Sequence, residues 1–423
     1  MTHWRLEVGK VKVVSKGMTY VIIGNSAAGI LAAEAIRNID KHGDIVIISE
    51  ENLLPYSRCL IPNYLEGAIS PKEMLFRPEG FYQELDIIPF LGYKVIRIND
   101  KDKRVILDNG EFITYSKLLI AAGASPRVPL INAYNYSAVY TLRTWEDARD
   151  IIYTARRAER AVVVGGGIVG IKAAVALLRR CLKVTVIMGL KQILSGILDQ
   201  KASELVTKAL KNLDLELIFD DEVEAVVPHP SKKKLVGVGL RSGREITCQL
   251  VVLDKGVEPN IGLVQGTGIK VNKGIVVNSK METSVPSVYA AGDVTEARDR
   301  IFEDIRYNPN WPNATSQGWA AGHNMAGVSQ EHPGTVRINY LELGVPVFSV
   351  GLVDPENEDY EIQVNEKSKG TIYRKLVLKD GIIYGALLLG DTKGSGTILS
   401  IIKKRSKLND STIEEILEGD YCF

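Results

Sequence analysis

Residues 18–50 read MTYVIIGNSAAGILAAEAIRNIDKHGDIVIISE, and this stretch decides the fold of the first part of the chain. An apolar strand runs into Gly24, a helix rich in alanine follows, and a second apolar strand ends the segment. Gly24, Ser26 and Gly29 stand at the GxGxxG spacing of a turn that holds a dinucleotide pyrophosphate. The pyrophosphate reaches the N–H groups of the helix N-terminus only where the backbone approaches closely. The centre of the turn is accordingly small, with Ser26, Ala27 and Ala28.

Glu50 closes the second strand, 21 residues after Gly29. In dinucleotide-binding folds an acid at about this distance accepts hydrogen bonds from ribose hydroxyls. The alternative is an ordinary solvated acid at a strand end. Because the glycine turn stands upstream, the binding role is favoured.

A second turn of the same kind lies in residues 161–177, which read AVVVGGGIVGIKAAVAL. Its glycines are Gly165, Gly167 and Gly170, and Ile168 and Val169 stand between them at the start of the helix. The first glycines of the two turns are 141 residues apart, too far for one βαβ unit. The sequence therefore predicts two nucleotides bound by one chain.

The composition indicates folded globular domains. The chain has 423 residues, 45% hydrophobic and 24% charged, with a net charge of +1, so nucleic acid and membrane surfaces are not expected as partners. No apolar run is long enough to span a bilayer, and the first residues resemble neither a signal nor a transit peptide. The four cysteines form no CxxC pair, which fits the cytoplasm and excludes a clustered cysteine metal or iron–sulfur site.

Three further strand-to-turn segments follow the pattern of buried strands in an α/β protein. They are YSKLLIAAGASPRVP with Ala122 and Gly123, VVLDKGVEPN with Gly256, and METSVPSVYAAGDVTEA with Gly292 and Asp293. A helix with small residues on one face, WPNATSQGWAAGHNMAG, comes next and contains Gln317. The predicted fold class is α/β, with two Rossmann-like domains and a C-terminal α+β domain.

From Met18 onward these segments resemble the superfamily of FAD-dependent pyridine nucleotide-disulfide oxidoreductases. The resemblance is to the branch of NADH oxidases, coenzyme A-disulfide reductases, NADH:rubredoxin and ferredoxin reductases, and the flavin module of NADH-dependent nitrite reductases. It implies an N-terminal arm at 1–17, an FAD-binding domain at 18–128 and 261–328, an NAD(P)-binding domain at 129–260, and an interface or dimerisation domain at 329–423.

The resemblance also implies roles for individual residues. Arg58 would lie beside the flavin nucleotide, Asp293 would accept hydrogen bonds from its ribityl hydroxyls, and the helix from Trp311 would point its N-terminus at the isoalloxazine ring. The implied cofactor-binding residues are Gly24, Ser26, Ala27, Ala28, Gly29, Glu50, Arg58, Ala122, Gly123, Gly292, Asp293 and Gln317, with Gly165, Gly167, Ile168, Val169, Gly170 and Gly256.

Two positions depart from the family pattern. Strand KVTVIMG ends in Met188 and Gly189, where NAD-preferring relatives carry an acid, and Lys191 is the one nearby base. NADH is favoured, and NADP stays open. Lys172 stands where many relatives have a glutamate near the nicotinamide, and it is either functional or an ordinary surface lysine.

Cys59 decides between two mechanisms. Its segment CLIPNYLEG aligns with the redox-cysteine segment of NADH oxidases, which implies a redox thiol. The preceding PYSR instead resembles acceptor-protein reductases, which use flavin alone, and Ala27 replaces the histidine of NADH oxidases. Cys181 and Cys248 are predicted to be structural, the first ending a helix and the second in an apolar strand, and Cys422 to be a tail residue.

The leading hypothesis is an FAD-dependent NAD(P)H oxidoreductase that passes hydride between NAD(H) and FAD, and electrons between FAD and a redox protein. That protein would be a rubredoxin, a ferredoxin or an iron–sulfur subunit of a larger complex, and the chain itself a homodimer or a subunit of a hetero-oligomer. The alternatives are a coenzyme A-disulfide reductase or NADH oxidase using Cys59, and an NADH-responsive flavoprotein with a role in assembly.

Replacing a glycine in either turn separates the two nucleotide sites. Gly24→Val is expected to yield protein without FAD, because a branched side chain would fill the space of the pyrophosphate. Gly167→Val is expected to block NAD(P)H while the purified protein stays yellow. Visible absorption before and after anaerobic NADH addition checks both variants. Normal bleaching of Gly167→Val would show that the second turn is not the NAD(P)H site.

Overall fold

The structure is a computed structural model that describes residues 17–128, 138–229, 232–356, 358–367 and 370–419. Most of the expected N-terminal arm and Cys422 lie outside these residues. The helices described are α1 (Ala27–Ile39), α2 (Ile61–Glu66), α3 (Phe81–Glu84), α4 (Trp145–Ala155), α5 (Ile168–Arg179), α6 (Gln200–Lys211), α7 (Trp311–Met325), α8 (Ser395–Lys404) and α9 (Asp410–Glu418).

The strands described are β1 (Thr19–Ile23), β2 (Asp44–Ser49), β3 (Ile87–Leu91), β4 (Val95–Asn99), β5 (Arg104–Leu107), β6 (Phe112–Thr114), β7 (Lys117–Ile120), β8 (Ala124–Pro126), β9 (Val139–Thr141), β10 (Arg160–Val164), β11 (Lys183–Ile187), β12 (Glu216–Ile218), β13 (Val223–His229), β14 (Lys232–Leu240), β15 (Glu245–Thr247), β16 (Leu250–Leu253), β17 (Val257–Pro259), β18 (Ile275–Val276), β19 (Val288–Ala290), β20 (Thr295–Arg298), β21 (Ile305–Arg306), β22 (Ile338–Glu342), β23 (Pro346–Gly351), β24 (Glu361–Lys367), β25 (Ile372–Lys379) and β26 (Ile382–Leu389).

The first nucleotide turn belongs to a parallel sheet with strand order β19-β7-β1-β2-β3. Its central strand β1 is buried throughout, as expected for a parallel sheet covered on both faces. Strand β19 comes late in the chain and lies beside β7, so the carboxyl ends of β1, β7 and β19 meet at one edge. Helix α7 packs closely on α1 because Gly318 has no side chain. A Cβ at this position would collide with the carbonyl of Ala28.

The second turn belongs to another parallel sheet, with the order β12-β11-β10-β16-β9. Helix α5 leaves β10 through the glycine turn and packs its alanine-rich face on the sheet. Helix α4 begins with a capping box in which the side chain of Thr144 accepts a hydrogen bond from the N–H of Asp147. The two sheets are joined by β8 and β17, which pair antiparallel.

The C-terminal part is an antiparallel sheet, β22-β23-β26-β25-β24, with α8 and α9 after it. Buried isoleucines of both helices, among them Ile398 and Ile413, pack on this sheet. This arrangement agrees with the predicted α+β composition of the region. The domain boundaries given above stay a prediction. In the described ranges, no helix has the length and apolar content needed to cross a membrane.

Two cysteines lie slightly differently from the expectation. Cys248 is fully buried between β15 and β16 rather than within a strand, and burial raises the pKa of its thiol to about 12. Cys181 follows α5 in a left-handed backbone conformation and is exposed. Neither lies within a regular element.

A buried ion pair joins the second nucleotide unit to the C-terminal sheet. Lys375 on β25 lies 2.8 Å from the carboxylate of Asp199, and their side chains are 6% and 8% exposed. The same carboxylate oxygen accepts a hydrogen bond from the hydroxyl of Tyr373 at 2.7 Å, while its other oxygen caps α6 through the N–H of Ala202. Each polar group of the cluster therefore has a partner.

Removing the ammonium of this cluster leaves a buried carboxylate without its counterion. We expect Lys375→Met to lower the apparent free energy of unfolding in urea by about 3 kcal/mol. The matched control is Lys379→Met on the same strand, since Lys379 is 41% exposed and pairs with the exposed Asp359. Its effect should stay below about 1 kcal/mol. Equal effects of the two substitutions would contradict the structural importance of the buried pair.

Candidate functional site: two dinucleotide turns and the cleft between them

The first glycine turn is shaped by backbone contacts. Gly24 has φ +120°, and a Cβ there would collide with the carbonyl oxygen of Ala121 at the end of β7. A Cβ on Gly29 would likewise collide with the carbonyl of Gly24, so the third glycine lets α1 pack against β1. These contacts explain why two positions of the pattern must be glycine.

The N-terminus of α1 fits an anionic group. Ser26 is its N-cap residue, but its side chain makes no capping hydrogen bond, and the first turn holds no acidic residue. The predicted Ala27 and Ala28 are buried at 3% and 6% exposure beneath α7. The free N–H groups and the positive end of the helix dipole suit a dinucleotide pyrophosphate. The cradle therefore fits FAD.

Two neighbouring acids follow β2, and they face in different directions. Glu50, the predicted ribose acid, is 67% exposed and lies 2.9 Å from the ammonium of Lys94. Glu51 lines a small pocket with Ser26, accepts a hydrogen bond from the hydroxyl of Tyr56 at 2.6 Å, and pairs with Arg58. Glu51 was not predicted from the sequence, although it stands directly beside Glu50 at the end of the strand.

Arg58 and Asp293 are connected through a residue that the sequence analysis missed, Arg143. The guanidinium of Arg58 donates to the backbone carbonyl of Arg143 at 2.7 Å. The guanidinium of Arg143 in turn lies 2.7 Å from the carboxylate of Asp293. Nothing in the segment TLRTWED marks Arg143 as a site residue, because its partner stands 150 residues later in the chain.

The hydroxyl of Tyr307 is buried near this ion pair and has no hydrogen-bond partner among the residues that the structure describes. Burial raises its pKa well above the usual range, with a further contribution from the negative charge of Asp293. An unpartnered buried hydroxyl is costly in a folded protein. A polar ligand bound beside Arg143 and Asp293 would give this hydroxyl a partner.

The other turns of the first unit are fixed by side-chain amides. Gln317, 3% exposed on α7, accepts a hydrogen bond from the N–H of Gly292 at 2.7 Å. Asn260 donates from its side chain to the carbonyl of Ala122 at 2.8 Å, and its N–H bonds the carbonyl of Gly123. The predicted residues Ala122, Gly123 and Gly292 thus lie at one edge of the first sheet. Gln317 positions that edge.

The second turn repeats the geometry of the first. Gly165 has φ +125°, and a Cβ there would collide with the carbonyl of Asp254 at the end of β16. Gly167 is the N-cap residue of α5 and offers no side chain, while Ile168 and Val169 begin the helix. The turn after β16 contains Gly256, around whose Cβ position there is open space. This cradle also suits a dinucleotide.

Asp254 adds a carboxylate to this cradle that the sequence analysis missed. One of its oxygens accepts a hydrogen bond from the N–H of Gly170 at 2.7 Å. Burial raises the pKa of this carboxyl, while the hydrogen bonds from Gly170 and Gly256 lower it. The signal available in the sequence was an acid directly after the apolar run VVL.

Cys59 lies exposed on a 3₁₀ turn between the two nucleotide units. Desolvation by the surrounding protein raises the pKa of its thiol, and the positive charge of Lys172 on α5 opposes this most strongly. The structure therefore brings the two predicted catalytic residues into one electrostatic environment. The net effect is a raised pKa of Cys59, which favours the neutral thiol over the reactive thiolate.

Comparison with known proteins identifies the family. Residues 18–318 match the model of the pyridine nucleotide-disulphide oxidoreductases, and residues 339–406 match the C-terminal domain of rubredoxin NAD+ reductase. An NADH oxidase of Methanocaldococcus jannaschii is 34% identical over 96% of this chain and 94% of its own.

Two other comparisons cover different lengths. The assimilatory nitrate reductase electron transfer subunit of Bacillus subtilis is 30% identical over 92% of this chain, which spans only 50% of that protein. The putidaredoxin reductase–putidaredoxin complex superposes with a TM-score of 0.87, covering 96% of this chain and 100% of that one, and at 22% identity it shows a shared fold.

These matches confirm the superfamily and the α/β fold class that the sequence predicted. They also confirm FAD and NAD(P)H as the cofactors, since these are the cofactors of the family. The assignment of individual binding residues stays a prediction. On the strength of the family match over most of its length, the chain belongs to the pyridine nucleotide-disulphide oxidoreductases.

Proposed function

We propose that the protein is an FAD-dependent NAD(P)H oxidoreductase that passes electrons between NAD(H) and a redox protein. The observation that carries the proposal is the pair of glycine cradles, each at the carboxyl edge of a parallel sheet and each at a helix N-terminus whose N-cap residue makes no side-chain capping hydrogen bond. Bound FAD would take up a hydride as an electron pair and release electrons singly. The protein would contribute mainly binding and orientation.

The chain of contacts from Glu51 to Asp293 supports a protein contribution of binding and orientation, with the redox chemistry supplied by FAD. Arg58 pairs with Glu51, donates to the carbonyl of Arg143, and thereby holds the segment after β2 against the segment before α4. Arg143 orients Asp293 through a partly buried ion pair. These residues would fix the cleft in which the two cofactors meet.

The proposed acceptor is a protein with an iron centre, such as a rubredoxin, a ferredoxin or an iron–sulfur subunit. Three observations support it: the match of the C-terminal part to a rubredoxin reductase domain, the similarity to an electron transfer subunit, and the raised pKa of Cys59. A chain of this kind would act as a homodimer or within a hetero-oligomer.

An anaerobic titration with NADH counts the redox centres. We expect one equivalent to bleach the flavin completely, without a long-wavelength thiolate-to-flavin band, since FAD would be the redox centre of the chain. Cys59→Ser should give the same endpoint. The matched control is Cys181→Ser, an exposed cysteine beyond the end of α5.

Two equivalents in the unmodified protein, falling to one in Cys59→Ser but not in Cys181→Ser, would refute the flavin-only reaction. Reduction of the natural acceptor by the isolated chain without any added protein would contradict the proposed iron-protein partner.

A second candidate is a thiol enzyme of the coenzyme A-disulfide reductase or NADH oxidase type. The observation that favours it is the position of Cys59, exposed and within the field of Lys172. A lysine charge stabilises a thiolate, and the similarity to an NADH oxidase points the same way. The pKa of Cys59 decides between the two functions.

The pH dependence of Cys59 alkylation measures this pKa. Because desolvation raises the pKa of the thiol, iodoacetamide should react with a midpoint above that of an ordinary cysteine. Lys172→Met should move the midpoint higher still, since it removes the charge that stabilises the thiolate. Lys183→Met, an exposed lysine on β11, is the control. A midpoint below neutral pH would favour the thiol enzyme.

A further inference from the structure

The end of β11 provides no acid for the second nucleotide. In a parallel sheet of this order the strand after the glycine-turn strand ends where the adenosine ribose binds. Here that end carries Met188 and Gly189. Met188 is 3% exposed, and a Cβ on Gly166 would lie 2.8 Å from the sulfur of Met188. The side chain of Met188 therefore packs against the glycine turn. Neither Met188 nor Gly189 offers a side-chain carboxylate to a ribose hydroxyl.

A carboxylate from another loop lies at this position. Glu222 follows β12, the neighbour of β11, and a Cβ on Gly189 would stand 2.5 Å from its Oε1. The side chain is 45% exposed and thus reachable from the crevice. Its backbone is held in place, because the carbonyl of Glu222 accepts a hydrogen bond from the N–H of Arg241 at 2.9 Å.

The loop that carries Glu222 is braced by its neighbour. The N–H of Glu222 donates to the carboxylate of Asp221 at 2.9 Å, and the hydroxyl of Ser242 donates to the same carboxylate at 2.6 Å. Asp221 is 6% exposed and its carboxyl pKa is lowered, first by the hydrogen bond from Ser242. Glu222 is thus presented from a fixed turn.

Two basic side chains lie near the carboxylate of Glu222. The ammonium of Lys255 lies 3.4 Å from Oε1, and the guanidinium of Arg241 lies 3.8 Å from Oε2. Lys255 follows β16, so its ion pair with Glu222 connects the loops after β12 and β16 across the ends of β11 and β10 between them. This is the edge at which the second dinucleotide would lie.

We infer that Glu222 accepts the hydrogen bond of the adenosine 2′-hydroxyl of NAD(H) and repels the 2′-phosphate of NADP(H). The inference rests on the proposed function, since it names the nucleotide preference of the same site. A carboxylate accepts hydrogen bonds from a hydroxyl, whereas a phosphate dianion beside it meets a like charge. Removal of Glu222 would in addition release Lys255 and Arg241 to pair with a 2′-phosphate.

Calorimetric titration of the FAD-loaded protein with ADP-ribose and with its 2′-phosphate tests the inference without turnover. The unmodified protein should prefer ADP-ribose. Glu222→Gln should bind ADP-ribose about tenfold more weakly and the 2′-phosphate about tenfold more tightly, as expected for one charge-assisted hydrogen bond and one released cation pair. Glu224→Gln, an exposed acid two residues away, should leave both affinities unchanged.

A second variant separates the two effects of the substitution. Adding Lys255→Met to Glu222→Gln should reduce the gain for the 2′-phosphate, since only Arg241 then remains to pair with it, while the loss for ADP-ribose remains. Equal affinities of the unmodified protein and Glu222→Gln would overturn the inference, and so would a preference of the unmodified protein for the 2′-phosphate.

Failure of the proposed function gives a different result. If the unmodified protein bound neither ligand, or if Gly167→Val bound ADP-ribose as tightly as the unmodified protein, the second turn would not be the nucleotide site, and both the proposal and the inference would fall. Binding that is lost in Gly167→Val but unaffected in Glu222→Gln would overturn the inference alone.

Discussion

The close backbone approach at the two glycine turns is the constraint on which the rest of the structure depends. At both turns a Cβ on the first glycine would collide with a carbonyl oxygen just after the neighbouring strand, at 2.1 Å from that of Ala121 in one sheet and 1.9 Å from that of Asp254 in the other. Each sheet can place its helix N-terminus at its carboxyl edge only because no side chain is present there. Two helix N-termini at the carboxyl edges of parallel sheets follow from this packing in one chain.

The contacts between the units are both apolar and charged. Leu341 and Val347 of the C-terminal sheet belong to the same buried apolar cluster as Val163 of β10. Two ion pairs add to this contact, Asp199 with Lys375 and Arg143 with Asp293. Such pairs are sensitive to geometry and are costly when broken singly.

Between the nucleotide units, the thiol of Cys59 lies in the electrostatic field of the ammonium of Lys172. Desolvation of Cys59 opposes the charge of Lys172, and the two effects act on the same proton. This balance distinguishes a protein in which flavin alone carries electrons from one in which sulfur takes part. A reactive cysteine requires a stabilised thiolate, and the desolvation of Cys59 acts against it.

The sequence by itself determined the parts that depend on local spacing. Glycines at fixed intervals after apolar strands specify both turns, and the succession of strands and helices specifies the α/β fold, because a βαβ unit is encoded within a few tens of residues. The tertiary structure decided which charged groups meet at the sheet edges. Glu51, Arg143, Asp254 and Glu222 follow different strands or precede different helices, and Arg143 and Asp293 are 150 residues apart. Parallel strands bring their carboxyl ends to one edge whatever their distance in the chain, so the neighbours of a site residue there are set by strand order rather than by sequence.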